Sequence, residues 1–308
     1  MDKEIETPLV SIVCDTYNHV NYIRQCLDGF LMQETNFPIE ILVHDDASTD
    51  GTADIVKEYE ARYPDLIKPI YQTENQYSKG VKVSIRYQYS RAKGKYIALC
   101  EGDDYWIDPL KLQKQVDFLE KHVGYSMCFT NAIQHYEDGL VEDTYFNDST
   151  FLERDYEGLE LFRNWLVPTA SIVCRSEIFY TELYRKATAN PYFVFGDILI
   201  VLSCALMGKV RGSSDATCVY RRTAQGALAR QNSTWQSQMS YVRHIEEIPK
   251  VFGQDFLNDS KMIIVSQYCF LLAQALKQKN IFRATRFLLA SLGVSVKQTL
   301  IVCLKKCF

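Results

Sequence analysis

The sequence predicts an α/β fold: a mostly parallel sheet with helices on both faces, followed by a helical appendage. Three observations carry this. Short continuous apolar runs alternate with segments of helical periodicity through the first two-thirds of the chain. Acidic residues stand immediately after the carboxyl ends of those runs. From about Gln231 onward the pattern is helical, with no strand-like alternation. Strands alternating with helices imply right-handed crossover units and a sheet covered on both sides.

Leu9 to Cys14 is an apolar run that stops at Asp15, as a buried parallel strand does. Ile23, Leu27, Phe30 and Leu31 recur at helical spacing from about Asn21. Ile39 to Val43 is a second strand ending on Asp45 and Asp46. Asp50 is placed to cap a helix carrying Ile55, Val56, Tyr59 and Tyr63 on one face. Leu66 to Tyr71 reads as a third strand, and Tyr96 to Cys100 as a fourth that ends in Glu101-Gly102-Asp103-Asp104. Asn131 to Asp155 is polar and acidic, the composition of irregular loops and edge strands. Ala170 to Cys174 reads as another strand, and Ile198 to Met207 as an apolar helix opened by Gly196-Asp197. In the tail, Gly253 and Gly293 read as helix breaks, and a boundary near Ala229 divides residues 1–229 from 230–308.

With 308 residues the chain can bury a substantial core. A hydrophobic content of 47% and a charged content of 23% are ordinary for a globular protein. The net charge of -4 argues against a nucleic-acid partner, which calls for a basic surface. Cys14, Cys100, Cys128, Cys174 and Cys218 lie inside apolar runs, as small buried hydrophobes do. No CxxC pair is present, so zinc and dithiol chemistry have no support. No apolar leader opens the sequence, and free thiols in a reducing cytoplasm are expected.

Asp15, Asp45, Asp46, Asp103 and Asp104 all follow strand ends, the edge where open α/β sheets bind ligands. Carboxylates gathered there repel one another unless a cation or hydrogen-bond donors lie among them. Asp15-Thr16-Tyr17-Asn18 follows the first strand with no glycine fingerprint, so that turn does not cradle a pyrophosphate. Tyr17 could stack on a base there, although a plain Asx turn explains the segment as well. In His44 to Thr52, helix capping accounts for Ser48, Thr49 and Asp50 but not for the acids before them. Hard carboxylate oxygens in Glu101 to Asp104 suit Mg²⁺ or Mn²⁺, which bind through one or two carboxylates plus phosphates.

Taken together, these motifs resemble the family 2 glycosyltransferases with the Rossmann-like GT-A fold, over about Pro8 to Arg222. The resemblance implies that Thr16, Tyr17 and Asn18 border the nucleoside, with Tyr17 on the base and Asp46 on the uracil edge. It implies that Asp103 faces the ribose and that Asp104 ligates Mn²⁺ or Mg²⁺. Asp197 resembles the family's catalytic base, with Trp165, Thr169 and Ser171 on the acceptor side. Asp15 departs from the pattern, standing where members often carry a small or neutral residue. The implied reaction is an inverting displacement from a UDP-linked sugar to a hydroxyl of a glycan or lipid-linked acceptor in cell-surface polysaccharide assembly.

Two other classes fit some of these observations. A phosphoryl-transfer α/β domain also gathers aspartates at strand ends, but has no use for Asp197. A non-catalytic, sugar-binding relative would dispense with Asp104 or Asp197, and both are present. In the tail, Met262 to Leu276 is apolar yet shorter than the roughly 20 residues that span a bilayer. Leu300, Ile301, Val302 and Leu304 lie among Lys297, Lys305 and Lys306, a mix suited to peripheral contact with the cytoplasmic face of a membrane.

Overall fold

A computed structural model describes residues 7–147, 153–223 and 234–307, with side chains described as far as residue 302. The first half is built as the periodicity requires. Strands β1 (Val10–Thr16), β2 (Ile39–Asp45), β3 (Ile67–Tyr71) and β4 (Tyr96–Leu99) alternate with helices α1 (Ile23–Leu31) and α2 (Thr52–Arg62). They pair in parallel in the order β3-β2-β1-β4. Val10, Ile12 and Cys14 share one core with Leu27 and Phe30 of α1, while Val13 belongs to the other core, so β1 is apolar on both sides. That double burial is why its sequence is a continuous apolar run rather than an alternation.

Beyond β4 the sheet becomes mixed. Strand β5 (Tyr105–Trp106), helix α3 (Lys111–Lys121) and strand β6 (Tyr125–Tyr136) follow, then the short strands β7 (Thr144–Tyr145) and β8 (Arg154–Tyr156). Helix α4 (Gly158–Asn164) leads to β9 (Val173–Arg175), which runs antiparallel to both β4 and β6. Helices α5 (Glu182–Ala189) and α6 (Gly196–Met207) precede β10 (Lys209–Arg222), which pairs in parallel with β6 and antiparallel with β5 and β8. Among the described residues the result is a ten-stranded sheet, ordered β3-β2-β1-β4-β9-β6-β10-β5 with β7 and β8 at its margins.

Several expectations are corrected here. Asn131 does not open a loop: β6 continues to Tyr136. Asn131 makes this possible by exchanging hydrogen bonds with the backbone of Asn147, and register shifts on β10 absorb the irregularity. The strand expected from Ala170 starts only at Val173. Thr169–Ser171 is a 3-10 turn, because both the Ser171 amide and hydroxyl return to the Pro168 carbonyl.

The tail is helical as expected: α7 (Trp235–Phe252), α8 (Leu257–Lys277), α9 (Ile281–Val294) and α10 (Val296–Cys307). Gly253 marks a break, but Gly293 lies inside α9, which ends one residue later at Val294 with Ser295 as its cap. The boundary near Ala229 lies outside the described residues. Val242 and Ile245 of α7 share one core with Ile264 of α8, Phe287 of α9 and Leu199 of α6. The apolar run Met262 to Leu276 thus goes largely into internal packing. No helix among the described residues is long and apolar enough to cross a membrane.

Candidate functional site

The parallel register sets the site. Asp15 lies opposite His44 and Thr16 opposite Asp45. The Asp46 amide donates to the Thr16 carbonyl at 3.0 Å, and the Gly102 amide to the Asp15 carbonyl at 3.0 Å. Three loops are thereby drawn to one edge of the sheet, bringing Thr16, Tyr17, Asn18, Asp46, Asp103 and Asp104 together. Gly102 lets them close. A Cβ there would meet Thr16 Oγ1 at 2.7 Å and His19 Nδ1 at 3.0 Å.

The first two loops are cross-tied. The backbone amides of Asn18, His19 and Val20 donate to the side chains of Ser48, Thr52 and Asp50 at 2.9, 2.8 and 3.0 Å. Asn18 Oδ1 in return accepts from the Thr49 amide at 2.8 Å. Asn18 and Ala47 both have left-handed backbones, at φ 56° and 62°. Asn tolerates that region, whereas alanine carries a steric cost. Asp50 accepts from the Thr52 amide at 3.0 Å, while Gly51, at φ 101°, holds the position before α2. Gly51, not Asp50, is thus the cap residue of α2, and the side chains of Ser48, Asp50 and Thr52 serve the first turn instead.

Within this frame Tyr17 is exposed at the edge, at 39%, a ring free to lie against a planar ligand. Asp46 is buried, and its two carboxylate oxygens accept from the amides of Gln76 and Tyr77 at 2.8 and 2.9 Å. A carboxylate has about four lone-pair sites, so the anchored group keeps acceptor capacity for a ligand N–H.

Asp103 and Asp104 present the hard donors a divalent cation needs. Asp103 Oδ1 is buried with no hydrogen-bond partner, and its other oxygen lies 3.9 Å from His19 Nε2. Asp104 is 3% exposed, and its Oδ1 accepts from the Arg221 amide at 2.8 Å. Burial, and then the neighbouring charge of Asp103, push its carboxyl well above the usual carboxylate range. A cation beside the pair relieves both penalties, so these residues fit Mn²⁺ or Mg²⁺. Among the described residues no three carboxylate, imidazole or thiolate side chains converge on one point. The five strand-end acids thus do not form one metal site, and ligand phosphates would have to complete a shell begun by Asp103 and Asp104.

Asp15 has a structural explanation. Its carboxylate accepts from the Ser84 hydroxyl and from Gln88 Nε2, both on the π-helical turn Ser84–Gln88. Gln88 also donates to the carbonyls of Cys14 and Leu42, and Arg91 to those of Val43 and Lys68. This segment fastens the ends of β1, β2 and β3 from one side. Nothing in the strand periodicity announces it, because its partners are backbone carbonyls remote in sequence.

Asp197 is reached by a separate path. Trp106, two residues past Asp104, donates from Nε1 to the Ala170 carbonyl at 2.8 Å, and Thr169 Oγ1 lies 3.4 Å from Asp197 Oδ2. Asp197 sits in the first turn of α6 and accepts from the Ile198 amide at 2.8 Å; Phe195, not Asp197, holds the cap position. Burial raises its pKa above that of an ordinary aspartate. Two of the expected acceptor-side residues also have packing roles. Ser171 is fully buried, and its carbonyl accepts from Gln115 Nε2 at 2.9 Å. Trp165 ends α4 with φ 45° and packs against the core.

Sequence reasoning missed Lys111 and noted Tyr220-Arg221-Arg222 only as a motif, with no contacts assigned to Arg221. Arg221 lies between the rings of Tyr22 and Tyr105, 5.0 and 4.4 Å from their centroids, and binds the Asp103 carbonyl and Gln25. Lys111 is fully buried beneath Trp106, 4.4 Å from its ring, with its pKa lowered to about 8 by burial. Its position after the acidic pair, on α3, was the available signal.

Comparisons with known proteins identify the family and the fold. An uncharacterized protein of Mycobacterium tuberculosis is 40% identical over 217 residues, 70% of this chain and 60% of its own. The UDP-Glc:α-D-GlcNAc-diphosphoundecaprenol β-1,3-glucosyltransferase WfaP of Escherichia coli is 37% identical over 112 residues, 36% of this chain and 41% of its own. The chain therefore spans less than two-thirds of the length of either relative. Among solved structures, Staphylococcus aureus TarS 1-349 with UDP-GlcNAc covers 90% of each chain with a TM-score of 0.55 at 17% identity. The mannosyltransferase PcManGT of Pyrobaculum calidifontis, with GDP-Man and Mn²⁺, covers 95% of this chain and 87% of its own, with a TM-score of 0.54 at 16% identity. At such identities these two speak to the fold, which is GT-A. The profile of Glycosyl transferase family 2 matches residues 11–180, more than half of the chain, and the protein belongs to that family of glycosyltransferases.

Proposed function

We propose that this glycosyltransferase moves a sugar from a nucleotide-linked donor, UDP-linked for preference, to a hydroxyl of a glycan or lipid-linked acceptor in cell-surface polysaccharide assembly. One observation carries the reading: the half-buried Asp103 and the buried Asp104 lie on the same edge as Tyr17 and Asp46 and are joined through Trp106 and the Ala170 carbonyl to Asp197. The UDP-GlcNAc held by TarS and the UDP-Glc and diphosphoundecaprenol in the name of WfaP support the donor and acceptor classes. The catalytic unit is assigned to residues 1–229, with 230–308 as the helical region that completes its core.

The roles are those the family resemblance implies, and the placement of the residues on one sheet edge supports them. Tyr17 stacks on the base, with Thr16 and Asn18 shaping the turn beside it, and Asp46 accepts from the ring N–H. Asp103 meets the ribose. Asp104 would hold Mn²⁺ or Mg²⁺, a Lewis acid that when bound neutralises charge on the departing diphosphate. Asp197 takes the acceptor proton, and its raised pKa brings it closer to the range of an effective general base. A single displacement inverts the anomeric configuration. Thr169 positions the Asp197 carboxylate.

The test is a thermal-shift panel of nucleotide sugars with and without Mn²⁺, followed by product detection with the best binder. Metal-dependent protection by a UDP-sugar, and product of inverted configuration, are expected. Protection unchanged by EDTA would refute the metal assignment.

A further inference from the structure

We propose that the outer face of α9, continued by the exposed side of α10, docks the protein on an anionic phospholipid membrane surface. The face is apolar and uncovered. Phe282 is 79% exposed, Ile281 76% and Leu289 63%, and Leu288 stands beside them. Their spacing places them on one stripe of α9, next to the stripe of Ala284, Phe287 and Ser291 that packs inward. Val296 and Leu300 of α10 are also more than half exposed. Contiguous apolar exposure of this kind marks an interaction surface.

Charge selects the partner. From Lys277 to the C-terminus the sequence holds seven Lys or Arg and no Asp or Glu, within a protein of net charge -4. Lys277, Lys279, Arg283, Arg286 and Lys297 are exposed, and none enters an ion pair among the described residues. Cations elsewhere, such as Arg24, Lys95 and Arg163, are paired. A twofold contact between copies through this face would oppose like charges, because such a contact repeats the same patch on both partners. An anionic bilayer accepts both features: the apolar stripe enters the headgroup boundary and the cations meet lipid phosphates. With 14 residues α9 is too short to span, so the contact lies in the interface.

This surface serves the lipid-linked acceptor of the proposed function, but is tested apart from it. The full chain is sedimented with phosphatidylglycerol–phosphatidylcholine vesicles and with phosphatidylcholine alone, and nucleotide–Mn²⁺ heat protection is measured on the same samples without vesicles. Binding should require phosphatidylglycerol and weaken with salt. It should fall about tenfold or more in Phe282→Ser/Leu289→Ser, and likewise in Arg283→Gln/Arg286→Gln. Melting and nucleotide protection should be unchanged in at least the charge variant, which alters only exposed side chains. The proposal is overturned if wild type does not sediment, if phosphatidylcholine alone serves equally, or if the folded charge variant binds undiminished. It is also overturned if the variants only convert a dimer to a monomer. Loss of nucleotide protection with vesicle binding intact would instead reject the donor reading.

Discussion

The proposed donor edge and the proposed acceptor side of this site are built in opposite ways. At the donor edge, polar groups hold one another: Asp46 has two backbone amides, and the Asn18 and Ser48 loops exchange hydrogen bonds. On the acceptor side Asp197 has the neighbouring Ile198 amide and a long contact to Thr169, in surroundings that disfavour its charge. The difference separates binding from chemistry. A dense network fixes a ligand's position, whereas a sparsely solvated carboxylate keeps its basicity for a proton.

The contrast breaks most severely at Asp104. Asp104→Ala is expected to cut turnover by about 10³-fold or more and abolish the Mn²⁺ dependence of donor protection. Wild-type rates in EDTA would remove the argument. Next comes Asp197→Asn, which preserves shape and the acceptor for the Ile198 amide. Turnover should fall about 10²–10⁴-fold while the donor dissociation constant barely moves. A near-normal rate in a correctly folded variant would send the search for the base elsewhere.

The same residue yields a pH prediction with a definite sign. Because a base must be ionised, wild-type turnover should rise with pH through a pKa above that of ordinary aspartate, and Asp197→Asn should lack that limb. Stability should move the other way. A carboxyl that holds its proton more tightly when folded contributes stability below the unfolded pKa and loses it as pH rises through the folded one. Asp197→Asn should therefore melt above wild type at neutral pH, and an equal or lower melting temperature would contradict the burial argument.

Smaller effects sharpen the donor side. Tyr17→Ala should cost about 1–3 kcal/mol of donor affinity if the ring stacks on the base, measured as a rise in the dissociation constant with little change at saturating donor. Ala47→Gly relieves a left-handed alanine and should stabilise the fold by up to about 1 kcal/mol, after the greater freedom of the unfolded chain is set against it. A lower melting temperature would show that the turn needs the methyl group.

How much of this was legible follows from which interactions are local. Strands β1, β2 and β4 and the acids at their ends are written in contiguous residues, as is α6 with Asp197 in its first turn. The 3-10 turn at Thr169–Ser171 was hidden because Ala170 to Cys174 has a strand's composition, and only the bonds to Pro168 bend it away. The contacts of Gln88, Arg91 and Arg221 were invisible for a different reason. Each is defined by carbonyls tens of residues away, which no periodicity encodes. The tail was read as helical correctly, but its most exposed apolar residues stand on α9, while most of the apolar residues of α8 go into the core.

The hydrogen bond from Trp106 to Ala170 has a thermodynamic consequence. It links the strand that follows Asp104 to the segment that carries Thr169 toward Asp197. If donor and cation shift that strand, they alter acceptor affinity by some factor, and equilibrium linkage requires the acceptor to alter donor affinity by the same factor. Trp106→Phe removes the donating N–H and should drive that factor toward one, even where each ligand still binds alone. Acceptor titrations at zero and saturating donor, in both proteins, measure it as the ratio of two dissociation constants.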